Sequence, residues 1–345
     1  MITALERLAA AANGTVLDRI PVFCNLLDQG ARELGVPLRE YYASGERVAE
    51  GQLRMREKYG YDNVWALFYV GKEAEALGCG KIHFADCGPP NVGEMVIECQ
   101  EDISKLKVPD NLDEHPAMTE PMKCLRILHS EVGGKHPVCV YVTGSMTLPA
   151  ILMGMEKWLE LLLSGPVEAR NALLEKCCNF VRKEIAAYRR AGADIILYSN
   201  PFGSIDFVPM SMIDSLSLPW MKRDLESVDM ASVVYYCGGA RLGAVIERVI
   251  EHLGCGTYYL SPLESVSDGK RIIDGRALCA GVINDIRLVD WSPTEVRQEV
   301  KRILAEGVPG GRFLFGTILM PYGIPEVNIR TMLEAAYEFG GNELQ

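Results

Sequence analysis

The stretch ADIILYSN, Ala193 to Asn200, is a short apolar run rich in Ile, Leu and Tyr. It follows the 27-residue segment 166–192, PVEARNALLEKCCNFVRKEIAAYRRAG, whose apolar residues recur every three or four positions and which ends on Gly192. A helix that stops on glycine and runs into a strand with no polar face is half of a βα repeat. The same unit recurs along the chain. The strand-like runs are IPVFC (20–24), NVWALFYV (63–70), PVCVYVTG (137–144), ADIILYSN (193–200), SVVYYCGG (232–239), GTYYLSP (256–262), LCAGVIND (278–285) and GRFLFGT (311–317). Helical patterns separate them. SPTEVRQEVKRILAEG (292–307), for instance, opens on Ser292 with Glu295 three positions later, the pairing that closes a helix N-terminus. Eight near-continuously apolar strands alternating with helices predict an α/β fold, a (β/α)8 TIM-type barrel. A doubly wound open sheet is the alternative. Segment 71–136 carries several prolines and short strand-like pieces, and reads as an insertion after strand 2 that covers one end. The expected domain is a single unit, 1–345.

The totals agree with that size. A chain of 345 residues, 48% of them hydrophobic, can bury the core of one large barrel. A net charge of −11 with no basic run argues against nucleic acid as a partner, because phosphate neutralisation needs clustered Lys and Arg. No apolar run reaches the ~18 residues of a membrane span. The N-terminal MITALERLAAAANG reads as a first helix rather than an export signal. Eleven cysteines without regular spacing suggest free thiols and a reducing, cytoplasmic setting, with a weak lean toward anaerobic life.

In such a barrel chemistry belongs at the C-terminal ends of the strands. Those ends supply Asn25 and Asp28, Ser145, Asn200 and Asp206, Tyr235 and Cys237, Asn284, Met320 and Tyr322. Few are charged. A mouth of amide, hydroxyl, aromatic and thiol groups suits a neutral or aromatic ligand better than a sugar phosphate. Cys237 stands where VVYYCGGAR (233–241) turns from strand to glycine, a place where a thiolate could act as nucleophile or metal ligand. Cys279 begins its strand and suits a small core residue.

Several segments resemble the uroporphyrinogen decarboxylase superfamily, and within it the corrinoid-dependent methyltransferase branch. They are DRIPV (18–22), EAEALGCGKIHFADCGPP (73–90), TGSMTLPAILMGMEKWLELLLSGP (143–166), AGADIILYSNPFGSIDFVP (191–209), YYCGG (235–239) and GTILMPYGIPEVNIRTMLEAA (316–336). The resemblance covers nearly the whole chain in order. It implies the barrel fold and methyl transfer between a small molecule, such as an aromatic methyl ether, and the cobalt of a corrinoid (cobalamin) carried by a partner protein. It also implies pairing into a homodimer. Thiol-methylating members of the branch hold zinc through His, Cys and a later Cys. Here Tyr235 stands at the histidine position and Tyr322 at the later cysteine, which leaves Cys237 alone. Asp206, Cys237 and Cys279 are spaced loosely like the Asp…Cys…Cys arrangement of O-demethylating members of the branch, so the resemblance makes them the possible zinc donors. The tyrosine pair 235 and 322 would otherwise offer hydroxyl donors and an aromatic wall. Decarboxylase members carry two arginines after strand 1 for a polycarboxylate substrate. Asn25 and Asp28 stand near those positions here, and an aspartate would repel such a ligand. Decarboxylation of a small acid, or non-catalytic binding of a corrinoid or small molecule, are the alternative functions.

Overall fold

In the computed structural model, residues 2–15 and 18–341 are described. Eight parallel strands form one sheet. They are β1 (Val22–Asn25), β2 (Val64–Trp65), β3 (Val138–Thr143), β4 (Ile195–Ser199), β5 (Val233–Tyr236), β6 (Thr257–Tyr259), β7 (Leu278–Val282) and β8 (Phe313–Leu319). The ladder runs β1-β8-β7-β6-β5-β4-β3-β2, so strands 2 to 8 follow chain order and β8 turns back onto β1. This is the (β/α)8 barrel expected, and each strand overlaps one of the eight apolar runs, the first and last reaching one and two residues beyond theirs.

Side chains close the seam between β1 and β2. The Cys24 N–H donates to Asn63 Oδ1 at 2.9 Å, and Trp65 Nε1 donates to the Cys24 carbonyl at 2.9 Å. The Asp62 N–H donates to the Val22 carbonyl at 2.9 Å, while the Val22 N–H donates to Asp62 Oδ2 at 2.8 Å. Buried backbone groups need partners. Here the side chains of Asp62, Asn63 and Trp65 replace a missing stretch of ladder. Arg7 and Arg19 pair with the Asp62 carboxylate at 2.7 and 2.6 Å and hold it in place.

Helices wrap the outside. Val167–Ala191 ends at Gly192, whose φ of 106° is the left-handed cap that glycine tolerates. Pro293–Gly307 starts on the reciprocal Ser292–Glu295 cap. The N-terminal segment forms the helix Ala4–Ala12, as the sequence suggests. The run 63–70 is strand only at Val64–Trp65: the Ala66 N–H still reaches the Cys139 carbonyl at 3.0 Å, after which the chain leaves the ladder. An insertion then begins at the helix Gly71–Ala76 and continues through an antiparallel ribbon of Ile82–His83 with Asn91–Val92. The N–H groups of Val96 and Ile97 tie it to the Leu152 carbonyl, beyond the C-terminal end of β3. The helix Thr119–Val132 packs against the helices Gly45–Tyr59 and Val167–Ala191 and so takes the barrel's own position between β2 and β3. No helix among the described residues is long and apolar enough to cross a membrane.

Candidate functional site

A cavity of about 310 Å³ opens at the C-terminal ends of the strands. Asn25 comes from β1, Trp65 from β2, Tyr141 and Thr143 from β3, Ser199 from β4, Tyr236 from β5, Tyr259 from β6 and Thr317 from β8. Phe68 and Leu27 fill the gaps, and Met155 reaches in from the helix that follows β3. Two aromatic pairs make much of the wall. Phe68 stacks on Tyr141 with centroids 4.2 Å apart, and Tyr236 meets Tyr259 edge-on at 6.3 Å. Among the described residues, no Asp, Glu, Lys, Arg or His lines the cavity. A pocket of this size with aromatic walls and a few hydroxyls holds a small neutral ligand.

Burial keeps the tyrosines protonated. Desolvation raises Tyr236 well above the ordinary phenol value, and the nearby Tyr141 and Asp285 push it further the same way. Tyr259 is raised by burial as well. At neutral pH both are therefore hydrogen-bond donors, and among the described residues neither hydroxyl has a protein partner. Asp285 lies just beyond Tyr236, and burial lifts its carboxyl to about 6.

The residues singled out from sequence fall into three places. Asn25 lines the cavity. Asn200 stands one layer behind, where its Oδ1 accepts from the Thr147 hydroxyl at 2.8 Å, and Thr147 is part of the wall. Met320 is buried beside Asn25 and donates its N–H to the Asn25 carbonyl at 3.1 Å. Asp28 is buried below the loop after β1 as acceptor of the Tyr42 hydroxyl, and burial raises its carboxyl to about 6. The Ser145 N–H donates to Asp224 Oδ2 at 2.8 Å, outside the cavity wall. At the rim, Asp206 pairs with Arg241 at 2.8 Å and Asn284 accepts the Arg287 N–H at 3.1 Å. Tyr322 lies under the Arg32 guanidinium, 4.7 Å from its ring centre.

Tyr235 and Cys237 do not enter the cavity. Tyr235 points outward to the helix Leu218–Asp224, where its hydroxyl donates to Met221 Sδ at 3.4 Å. The Cys237 thiol donates to the Tyr235 hydroxyl at 3.5 Å, and burial raises the thiol to about 12. Burial of this kind favours the protonated thiol, and Cys237 is not part of the cavity wall. Cys279 also lies outside, near Lys270, with its thiol raised by burial to about 12. In register it is level with Tyr235 two strands along, which is about 10 Å at the usual strand spacing. Asp206, Cys237 and Cys279 are therefore not assembled, and no cluster of three metal-binding side chains occurs among the described residues. The tyrosine pair 235 and 322 is likewise not brought together: one faces the helices and the other the rim.

Sequence reasoning missed Tyr236, Tyr141, Tyr259 and Phe68. Successive strand residues point to opposite faces, so a shift of one position exchanges wall for core. Tyr235 and Tyr236 are adjacent in an unbroken apolar run, and nothing local tells them apart.

Comparison with known proteins agrees with the barrel fold. The uroporphyrinogen decarboxylase (URO-D) family model matches residues 3–339. The chain belongs to this family. Among its relatives, the methylcobamide:CoM methyltransferase MtbA of Methanosarcina mazei is 24% identical, with 98% of each chain covered. MtaA of Methanosarcina barkeri, also a methylcobamide:CoM methyltransferase, is 23% identical over 89% of this chain and 90% of its own. A uroporphyrinogen decarboxylase of Trichlorobacter lovleyi is 23% identical over 96% and 98%. A solved methyltransferase from Methanosarcina mazei shares the fold, with a TM-score of 0.84 and 21% identity, over 98% of this chain and 99% of that one.

Proposed function

We propose that this family member is a corrinoid-dependent methyltransferase that takes a methyl group from a small neutral donor, an aromatic methyl ether being the best fit, and passes it to the cobalt of a corrinoid on a partner protein. The observation that carries the reading is the uncharged, aromatic-walled cavity ending in the unpaired hydroxyls of Tyr236 and Tyr259. The full-length likeness to methylcobamide:CoM methyltransferases supports the reaction class.

A corrinoid is too large for 310 Å³ and would sit over the mouth. The rim fits such a visitor. Met155, Ile205, Leu263 and Ile286, from segments after β3, β4, β6 and β7, expose 46%, 45%, 72% and 71% of their surface. Seated there, the corrinoid would supply the cobalt nucleophile for the methyl carbon. The chain's own work is to hold the ring between the aromatic pairs, exclude water and stabilise charge on the leaving oxygen. As the methyl–oxygen bond breaks, its electron pair stays on oxygen, and the Tyr236 hydroxyl donates a hydrogen bond to the phenolate that forms. The donor set does not fit zinc, so no step here passes through that metal.

Two alternatives are disfavoured. Decarboxylation of a polyacid wants guanidinium groups in the cavity, yet Arg32 is turned to the Ile324 and Tyr322 carbonyls. Methylation of a thiol wants a metal to form the thiolate. The test is incubation of the purified protein with a cobalt(I) corrinoid and a panel of aromatic methyl ethers, with zinc measured on the same sample. The expected result is phenol release in step with methylation of the corrinoid and no stoichiometric zinc. About one zinc per chain, lost in Cys237→Ala, would overturn it.

A further inference from the structure

Asn25 is 7% exposed, and its main chain is held on both sides. Its N–H donates to Thr317 Oγ1 at 2.8 Å and its carbonyl accepts from the Met320 N–H at 3.1 Å. Its side chain is another matter. Oδ1 is fully buried without a partner, and Nδ2 makes no hydrogen bond among the described residues. Asn25 lines the cavity, as do Leu27, Trp65 and Ala66. Leucine would fill that place without leaving polar atoms unmatched. Buried polar groups are hydrogen-bonded as a rule, and an orphan facing a cavity is explained by what the cavity binds.

The other polar wall lies opposite. Three strands lie between β1 and β5 in either direction round the barrel, so Asn25 and Tyr236 face the ligand from opposite sides. A flat ring whose ether oxygen meets Tyr236 presents its far edge to Asn25. An amide both donates and accepts, and so does a hydroxyl.

We infer that Asn25 is a specificity-determining residue that hydrogen-bonds a hydroxyl on the ring edge remote from the transferred methyl group. This rests on the aromatic-ether reading above and adds to it: the donor is a methoxyphenol whose two oxygens lie across the ring from each other. Asn25 selects and orients the ligand, and the departing oxygen remains with Tyr236.

The test uses two probes of the same shape, 4-methoxyphenol and 4-methylanisole, which differ only in hydroxyl against methyl. Their binding to the full chain is measured by calorimetry, with 2-methoxyphenol as a third arm. A site built around a hydroxyl rejects the analogue lacking it, so wild-type protein binds 4-methoxyphenol at least about tenfold more tightly than 4-methylanisole. Asn25→Leu abolishes or reverses that preference, and Asn25→Ala, smaller and free of new contacts, abolishes it too. Thermal melts confirm that each variant is folded. Equal binding of the two probes by wild type, or a preference that survives in both variants, overturns the assignment. Tighter binding of 2-methoxyphenol than of the 4-isomer overturns its geometry. Binding of neither aromatic probe overturns the aromatic-donor reading itself, and this assignment with it.

Discussion

Asp28 shows how a buried carboxyl weighs on this protein. It has no solvent exposure, one hydrogen bond from Tyr42 and an unpartnered second oxygen. Its pKa in the folded chain is about 6, against 3.8 ordinarily. The folded state therefore keeps a proton that the unfolded chain has already released between those values. By linkage this contribution to stability is fully present below about pH 4 and is lost as pH rises through about 6. Asp28→Asn removes the dependence. The gain of the variant over wild type, measured by denaturant unfolding, should be smallest near pH 4 and grow toward pH 7, to the order of 2–3 kcal/mol. A gain that does not change with pH would contradict this account. Burial raises Glu73 and Glu184 too, and these two fully buried carboxyls lie against one another. They should steepen the same fall in wild type and variant alike, so the difference between the two chains isolates Asp28.

The seam between β1 and β2 is where the barrel depends on particular side chains rather than on a ladder. Asn63 is fully buried and takes the Cys24 N–H. Asn63→Leu would leave that donor buried and unpaired, at a cost of about 1–3 kcal/mol. The expected reading is a lower denaturant midpoint with an unchanged slope; a midpoint equal to wild type would mean that water or a backbone shift serves instead. The strands themselves were legible because each is a short apolar run bounded by glycine, proline or a helix. Their facing was not. In β5 the residues Val233 to Tyr236 are apolar or aromatic throughout and buried on both sides, so no alternation marks which of Tyr235 and Tyr236 looks inward. Asn25 was legible for the opposite reason: a lone amide closing the run IPVFC stands out. Cys237 was misleading because the glycines after it do mark an opening. Gly238, with φ of 66°, lines the cavity, but the thiol before it turns to the helices.

For the molecule as a whole, the barrel sets a small, largely apolar cavity beneath an exposed apolar rim, and the two parts suit two partners of different size. The acidic chain has little at the rim to attract a polyanion, since the Arg241 guanidinium is already paired with Asp206. Leu263 and Ile286 are the most exposed large apolar side chains there. Changing both to glutamate should raise the KM for the corrinoid-bearing partner at least about tenfold, because hot spots at interfaces cost over 1 kcal/mol each when lost. The same pair should leave the affinity for the small donor unaltered, since neither residue lines the cavity. An unchanged KM would place the partner elsewhere.

The central claim is that a neutral tyrosine on the inner face of β5 assists methyl departure. The measurement that tests it most directly is the single-turnover rate of phenol release to a cobalt(I) corrinoid by wild type, Tyr236→Phe and Tyr235→Phe. Loss of one preorganised donor to a developing oxyanion slows chemistry by about 10²–10³-fold. The account predicts a loss of that order in Tyr236→Phe with donor affinity retained, and a rate close to wild type in Tyr235→Phe. The reverse order, or equal rates in all three proteins, would contradict it.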